Sequence, residues 1–367
     1  MRKQNSDEYF MNIAIKEAKK GIGFTSPNPP VGAVIVKEGK ILGKGFHKGA
    51  GLPHAEVEAL RNCRENPVGA TIYVTLEPCN HWGRTPPCTE AIISSGIRRV
   101  VIGCADPNPN VKGGGKERLL SEGIEVKENV LREECEALLE AYLKHVKTGL
   151  PFVYAKAAIT IDGFTATSAG DSKWITGEEA RRYAHKLRYM VDAIIVGVDT
   201  VIKDNPKLTQ RLGGRYKKQP LRVILDTHLR TPLNSEVIRD GGKTLILVGE
   251  KVGDEKIAQY LPFGVMVKRC ATKENMLDLS EVLKILGEAQ IQSVLLEGGS
   301  RVMGSFVSQR LVDKFFIFLA PKLLAGEDGY PMIRGKGPRF IKDCVMLDKL
   351  EIKRLGKDLL ISGYPKY

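Results

Sequence analysis

The feature that most constrains this chain is His54-Ala55-Glu56, followed by Pro78-Cys79 and then Cys88. Two thiolates and one imidazole supply three protein ligands to a zinc ion and leave its fourth position open for water. A structural zinc is normally closed by four protein ligands, so this set describes a catalytic site. The nearby candidate for a fourth ligand, which would make the site structural, is His81. Glu56 lies two residues after the histidine, where a carboxylate can face metal-bound water without ligating the metal. Zinc lowers the pKa of such a water toward neutrality, and Glu56 can relay its proton.

The local pattern predicts how the three ligands meet. Asp7–Lys20 has apolar residues near helical spacing and stops at Gly21. VGAVIV (Val31–Val36) reads as a buried strand, with Lys40–Gly45 returning beside it. His54–Arg61 reads as a helix whose first turn presents His54 and Glu56. TIYVTL (Thr71–Leu76) is a strand that delivers Glu77-Pro78-Cys79, and Cys88 opens the next helix. Zinc then sits between two helix starts, where partial positive charge stabilises thiolates. Further strands at RRVVIG and IEVKENV complete a three-layer α/β domain, expected to span residues 1–148. Gly113-Gly114-Gly115 reads as a plain loop.

A chain of 367 residues exceeds one ordinary core, and Thr148-Gly149-Leu150-Pro151 breaks a long helical stretch, so a second domain is expected over 149–367. Strands recur there at PFVYAKAAIT, VDAIIVGV, PLRVILD, KTLILVG, MVKRC, SVLLEGG and KFFIFLA, with helical stretches between several. That order implies a mainly parallel sheet flanked by helices. SVLLEGGSRVMGSF runs from strand through Glu297-Gly298-Gly299-Ser300 into a helix, an arrangement that suits phosphate but equally a tight turn. Thr176-Gly177-Glu178-Glu179 reads as a capping box.

Hydrophobic residues make up 43% and charged residues 27%, as in globular proteins, and no apolar run reaches membrane-spanning length. The seven scattered cysteines suit a reducing cytoplasm rather than a disulfide framework. The net charge of +13 is spread among Asp and Glu with few interleaved aromatics, which argues against a nucleic-acid surface and fits a phosphorylated small molecule.

The zinc residues match the H-x-E…P-C-x-x-C signature of zinc deaminases, with eight residues between the cysteines (Asn80 to Pro87) instead of two. SPNPPVGAVIV, PHAEVEAL, TLEPCNHWGRTPPCTEAI and ADPNP resemble the bifunctional deaminase/reductase family of riboflavin biosynthesis. The long insert with GRTPPC separates that family from cytidine, guanine and tRNA-adenosine deaminases. AAITIDGFTAT, GDSKWITG, VDAIIVGVDTVIKDNPKLTQR and LLEGGSRVMGSF are similar to its reductase half. The resemblance covers nearly the whole chain and implies a cytidine-deaminase-like α/β/α domain followed by a dihydrofolate-reductase-like α/β domain. It further implies zinc-dependent deamination of a pyrimidine bearing a ribosylamino 5-phosphate, then reduction of the ribosyl group to ribityl with NADPH.

Carried over residue by residue, the resemblance places Glu56 as the catalytic proton carrier and His54, Cys79 and Cys88 as zinc ligands. Asn28 contacts the pyrimidine, with His47, His81, Asp106 and Asn108 as further candidates; Trp82 stands where many relatives have a histidine. NADPH contacts fall at Ala158, Trp174, Thr200, Asp204 and Thr227. The same set continues along Gly299, Ser300, Arg301, Val302, Met303, Gly304 and Ser305. Substrate contacts of the second domain fall at Ser172, Arg188, Leu208, Arg211 and Glu297, the two arginines being suited to a phosphate. Folds of this reductase kind commonly pair, so a homo-oligomer is expected. One competitor is a deaminase acting on another amino-pyrimidine or a nucleic acid, which leaves residues 151–367 unexplained. Another has a non-catalytic second half, against which Lys156, Asp162, Trp174, Asp204 and the EGG element stand.

Overall fold

The computed structural model describes residues 6–83, 85–108, 114–213 and 218–367. Two compact units divide the chain, Met1–Gly149 and Leu150–Tyr367.

The first unit is built from helices α1 (Asp7–Ala18), α2 (Ala55–Arg61), α3 (Cys88–Ser94), α4 (Gly115–Ser121) and α5 (Arg132–Thr148). Its strands are β1 (Gly32–Lys37), β2 (Lys40–Phe46), β3 (Thr71–Leu76), β4 (Arg99–Cys104) and β5 (Glu125–Lys127), ordered β2-β1-β3-β4-β5. β1 runs antiparallel to both neighbours, whereas β3, β4 and β5 are parallel. α1 and α5 cover one face and α2, α3 and α4 the other. α1 starts where the Ser6 hydroxyl accepts from the Tyr9 N–H, and it buries Phe10, Met11, Ala14, Ile15 and Ala18. Asp7 in its first turn receives both guanidinium nitrogens of Arg99 at 2.9 and 3.0 Å, Lys127 at 2.7 Å and the Tyr73 hydroxyl at 3.0 Å. Arg99 foremost holds the Asp7 carboxyl well below the usual carboxylate range. Gly45 allows α2 to lie on the sheet, because a Cβ there would sit 2.3 Å from the Ala59 nitrogen.

The second unit contains β6 (Phe152–Thr160), β7 (Phe164–Ala166), α6 (Glu178–Met190), β8 (Ala193–Gly197), α7 (Val198–Asp204), β9 (Leu221–Leu225) and α8 (Glu236–Arg239). It continues with β10 (Thr244–Gly249), α9 (Asp254–Ala258), β11 (Met266–Cys270), β12 (Thr272–Lys273), β13 (Met276–Leu277), α10 (Leu279–Glu288) and β14 (Ser293–Leu296). It ends with α11 (Ser300–Ser308), β15 (Lys314–Ala320), β16 (Tyr330–Pro331), β17 (Met346–Leu355) and β18 (Asp358–Lys366). The main sheet has the order β11-β10-β9-β8-β14-β6-β15-β18-β17. From β11 to β15 the pairing is parallel; β18 and β17 close the far edge antiparallel. Alternate residues feed two cores. Ile194, Val196 and Ile246 join one with Leu187 of α6, while Ala193, Ile195 and Leu245 join the other with Leu283 and Phe306 of α10 and α11. β14 returns between β8 and β6, so the chain reverses its direction of travel across the sheet beside the ends of these strands.

Three sequence expectations need correction. The β17–β18 hairpin was not anticipated, because in MLDKLEIKRL charged residues interrupt the apolar ones and the strand is exposed along almost its whole length. Thr176 does not cap α6: Gly177 holds that position, and its N–H donates to Asp358 of β18 at 2.7 Å. Gly115 is not loop but the first residue of α4, held close to the Pro78 carbonyl where a Cβ would be 1.9 Å away; Gly113 lies outside the described residues.

Candidate functional site

In the first unit, β3 ends at Leu76 and carries Pro78 and Cys79 outward, while His54 precedes α2 and Cys88 opens α3. His54 Nδ1 lies 3.2 Å from Cys88 Sγ and 3.5 Å from Cys79 Sγ. The ligand atoms of all three residues fall within 4.8 Å of one another, and theirs is the one such group among the described residues. His81 does not join it, so the set stays at three. The Cys88 S–H, His54 and the Cys88 backbone N–H, acting on Cys79, favour its thiolate, and this in turn raises the Cys88 thiol. Two sulfurs and one nitrogen, converging and partly buried, fit zinc. Glu56 is 3% exposed, and burial foremost pushes its carboxyl up to about 7. A carboxyl so tuned can both take and give a proton near neutral pH.

Around this triad, His47 is buried with its ring 5.1 Å from that of His54. Its Nδ1 lies 3.1 Å from the Pro53 carbonyl, so Nδ1 carries the proton and Nε2 accepts from the Asn28 amide at 3.0 Å. Burial lowers the His47 pKa, favouring the neutral ring that this arrangement needs. Asp106 accepts from the Tyr142 hydroxyl at 3.0 Å and from the Asn108 N–H at 2.9 Å. The loop between the two cysteines is pinned where the Thr89 hydroxyl donates to Asn80, and its Trp82 is 78% exposed.

The second unit has a cleft of about 800 Å³ at the ends of β6, β8, β9 and β14 and at the starts of α7 and α11. It gathers Ala158, Trp174, Thr200, Asp204 and Thr227 along with Ser172, Arg188, Arg211 and Glu297. Gly299 through Met303 and Ser305 also line it. Leu208 and Gly304 do not. Leu208 is 4% exposed within a core, and Gly304 packs where a Cβ would meet the Arg334 carbonyl at 1.8 Å. Eight lysines and arginines line the cleft against three carboxylates, which marks it for a polyanion. Gly299 precedes α11, and residues of that helix's first turn line the same space. A phosphate-bearing dinucleotide fits this lining.

Arg188 sits differently from expectation. Its Nε and Nη2 donate to the two oxygens of Glu297 at 2.7 and 2.8 Å, and Nη1 to the Thr209 carbonyl at 2.9 Å. Lys156 Nζ lies 4.0 Å from the same carboxylate. The carboxyl of Glu297 is consequently held at about 2 despite the burial that opposes it. Sequence reasoning missed Arg181 and His185, which also line the cleft. The signal was available: residues 181, 185 and 188 recur at helical spacing on one side of α6. The Arg181 guanidinium lies 4.7 Å from the centre of the Trp174 ring.

Comparison with known proteins extends over both units. The model of the cytidine and deoxycytidylate deaminase zinc-binding region matches residues 4–104, and that of the RibD C-terminal domain matches residues 151–361. The riboflavin biosynthesis protein RibD of Aquifex aeolicus (strain VF5) is 44% identical over 355 residues, covering 97% of each chain. That of Actinobacillus pleuropneumoniae is 43% identical over 361 residues, 98% of this chain and 96% of the other. Acinetobacter baumannii RibD (form 1) superposes with a TM-score of 0.88 at 37% identity, covering 98% of this chain and 99% of that one. A diaminohydroxyphosphoribosylaminopyrimidine deaminase/5-amino-6-(5-phosphoribosylamino)uracil reductase from Thermotoga maritima gives 0.84 at 38% identity, with the same coverage. A zinc-binding deaminase half and a reductase half, in this order and along almost the full length, place the chain in the RibD family, the bifunctional deaminase/reductases of riboflavin biosynthesis.

Proposed function

We propose that the first unit hydrolyses the ring 2-amino group of 2,5-diamino-6-(5-phosphoribosylamino)pyrimidin-4-one, and that the second unit then reduces the ribosyl side chain to ribityl with NADPH. The observation that carries the first half is the three-ligand set with buried Glu56 beside it. His54, Cys79 and Cys88 would hold zinc, which when bound supplies a Lewis acid that makes water acidic near neutral pH. Glu56 takes a proton at its carboxylate and returns it to the departing amine. Asn28, its amide oriented by neutral His47, contacts the pyrimidine.

In the second unit the basic cleft and the α11 N-terminus support binding of NADPH, which supplies the hydride. Arg188 and Lys156 keep Glu297 ionised and oriented toward the sugar hydroxyls. Arg211, exposed at the rim, is assigned to the substrate phosphate. No described helix is long and apolar enough to cross a membrane, and all seven cysteines are free, which supports a reducing, cytoplasmic setting.

The assembly is proposed to be a homodimer through β17. Met346, Leu350 and Ile352 of this edge strand are 66%, 57% and 68% exposed, and a second copy can continue the sheet by pairing edge to edge. Sedimentation of Ile352→Lys should show a monomer where the parent chain is dimeric; an unchanged dimer would place the interface elsewhere.

The test of function follows ammonia release and NADPH oxidation separately with the diamino-pyrimidine substrate. Ammonia first and NADPH consumption second supports the assignment. Ammonia alone removes the reductase half of it, and neither signal from zinc-replete protein points to another amino-pyrimidine or a nucleic acid.

A further inference from the structure

Glu77 is the acidic residue of Thr75–Cys79 that the zinc chemistry leaves without a task, being neither a ligand nor the proton carrier. It follows β3 two residues before Cys79, and its N–H donates to the Cys104 carbonyl at the end of β4 at 3.0 Å. Its side chain bridges two further segments. Oε2 accepts from the Asp106 N–H at 3.3 Å and Oε1 from the Lys116 N–H at 3.1 Å. A carboxylate has two acceptor oxygens and no donor, so each N–H finds an acceptor; an amide would set its own NH2 against one of them.

The two donors flank the connection from β4 to α4. Asp106 follows β4, and Lys116 is the second residue of α4, where first-turn N–H groups lack a partner inside the helix. Gly114 at the N-cap of α4 has no side chain to offer, so Glu77 supplies the acceptor from β3. Gly115 packs against the Pro78 carbonyl, and α4 therefore starts on the segment that carries Cys79. Asp106 is fixed again through its side chain. The Tyr142 hydroxyl of α5 lies 3.0 and 3.1 Å from its two oxygens, and the Asn108 N–H donates to one of them at 2.9 Å. Burial foremost raises the Asp106 carboxyl above its ordinary range, and the charges of Glu77 and Cys79 act in the same direction, which puts this carboxyl beside the metal-binding group.

We propose that Glu77 is a positioning residue for the deamination: by tying the Asp106 N–H to the start of α4, it sets the Asp106 side chain to accept a hydrogen bond from an amino or hydroxyl donor of the aminopyrimidine substrate. The inference rests on the deaminase reading of the first unit. Glu77 acts through Asp106 and touches neither substrate nor metal, so its loss weakens substrate binding and spares the hydrolytic step.

The test is steady-state ammonia release from the diamino-pyrimidine substrate by the full-length, zinc-loaded protein, with the zinc content of each variant measured. Asp106→Asn should raise KM about 10- to 100-fold, the loss expected for a hydrogen bond to a charged acceptor. Glu77→Gln should raise KM about 10-fold while kcat and bound zinc stay at the parent's values. In the double variant Glu77→Gln should add nothing to Asp106→Asn, because the one acts through the other. Glu77→Asp is the second variant should the first fail to fold; it keeps the charge but is a methylene too short to span both N–H groups, and KM should rise as for Glu77→Gln. An unchanged KM, a fall in kcat or bound zinc, additive effects in the double variant, or an Asp106→Asn protein with the parent's KM overturns the inference and leaves the deaminase reading standing. Failure of the zinc-loaded parent to release ammonia overturns that reading and the inference with it.

Discussion

The two sites solve the placement of chemistry in opposite ways. In the first unit, three ligand atoms within 4.8 Å and a buried carboxylate come from residues 54–88, fixed by two helix starts and one strand end. In the second, a cleft of about 800 Å³ collects side chains from residue 156 to residue 334, and its central ion pair joins positions 109 residues apart. The metal site is small because coordination distances set its size. The cleft is wide, as the proposed pair of phosphate-bearing ligands requires, and its precision comes from buried charge instead.

This contrast can be broken most severely by removing metal. Dialysis against a chelator should abolish ammonia release and leave NADPH oxidation with the deaminated substrate intact; loss of both would show that the units are not independent. Glu56→Gln should lower the deamination rate by about 10²–10⁴-fold. Zinc content should stay unchanged by elemental analysis, and a metal-free variant would mean that Glu56 shapes the site rather than moving protons.

A smaller effect, read in stability, is expected from Glu297→Ala. It strands Arg188 and Lys156 without their carboxylate, so the reductase unit should lose about 3–5 kcal/mol. In a thermal scan its transition should fall while that of the deaminase unit stays in place. The smallest effect is that of acid. Because the Glu297 carboxyl is held at about 2, below its ordinary value of 4.5, its contribution is complete above pH 4.5 and is lost as pH falls toward 2. Glu297→Gln should flatten that part of the reductase unit's stability curve, and an unaltered acid limb would mean that other carboxylates dominate.

The sequence exposed these two regions unequally. Zinc ligands in the first unit stand at element ends, where a short apolar strand or helix start announces itself, and β3 and the opening of α3 lie where the pattern put them. The parallel strands of the second unit were equally visible, as continuous aliphatic runs buried on both faces. What escaped was long-range or relational. The β17–β18 hairpin interleaves its apolar residues with charges and leaves most of β17 exposed, and Asp358 caps α6 from 181 residues away. Leu208 is drawn into the core by its hydrophobicity, and no local spacing indicates that Arg188 is already engaged by Glu297. His185 was legible as part of a helical stripe, but only the cleft gives that stripe a meaning.

The segment between Cys79 and Cys88 has an evolutionary consequence. Its ends are moored, one to a strand and the other to a helix, and the Thr89–Asn80 hydrogen bond ties them together. Mutation between the moorings can therefore change the loop's exposed residues while His54, Cys79 and Cys88 keep their places. Trp82, almost fully in solvent, occupies such a permissive position. A lineage can vary this loop without first surrendering the residues that hold the metal.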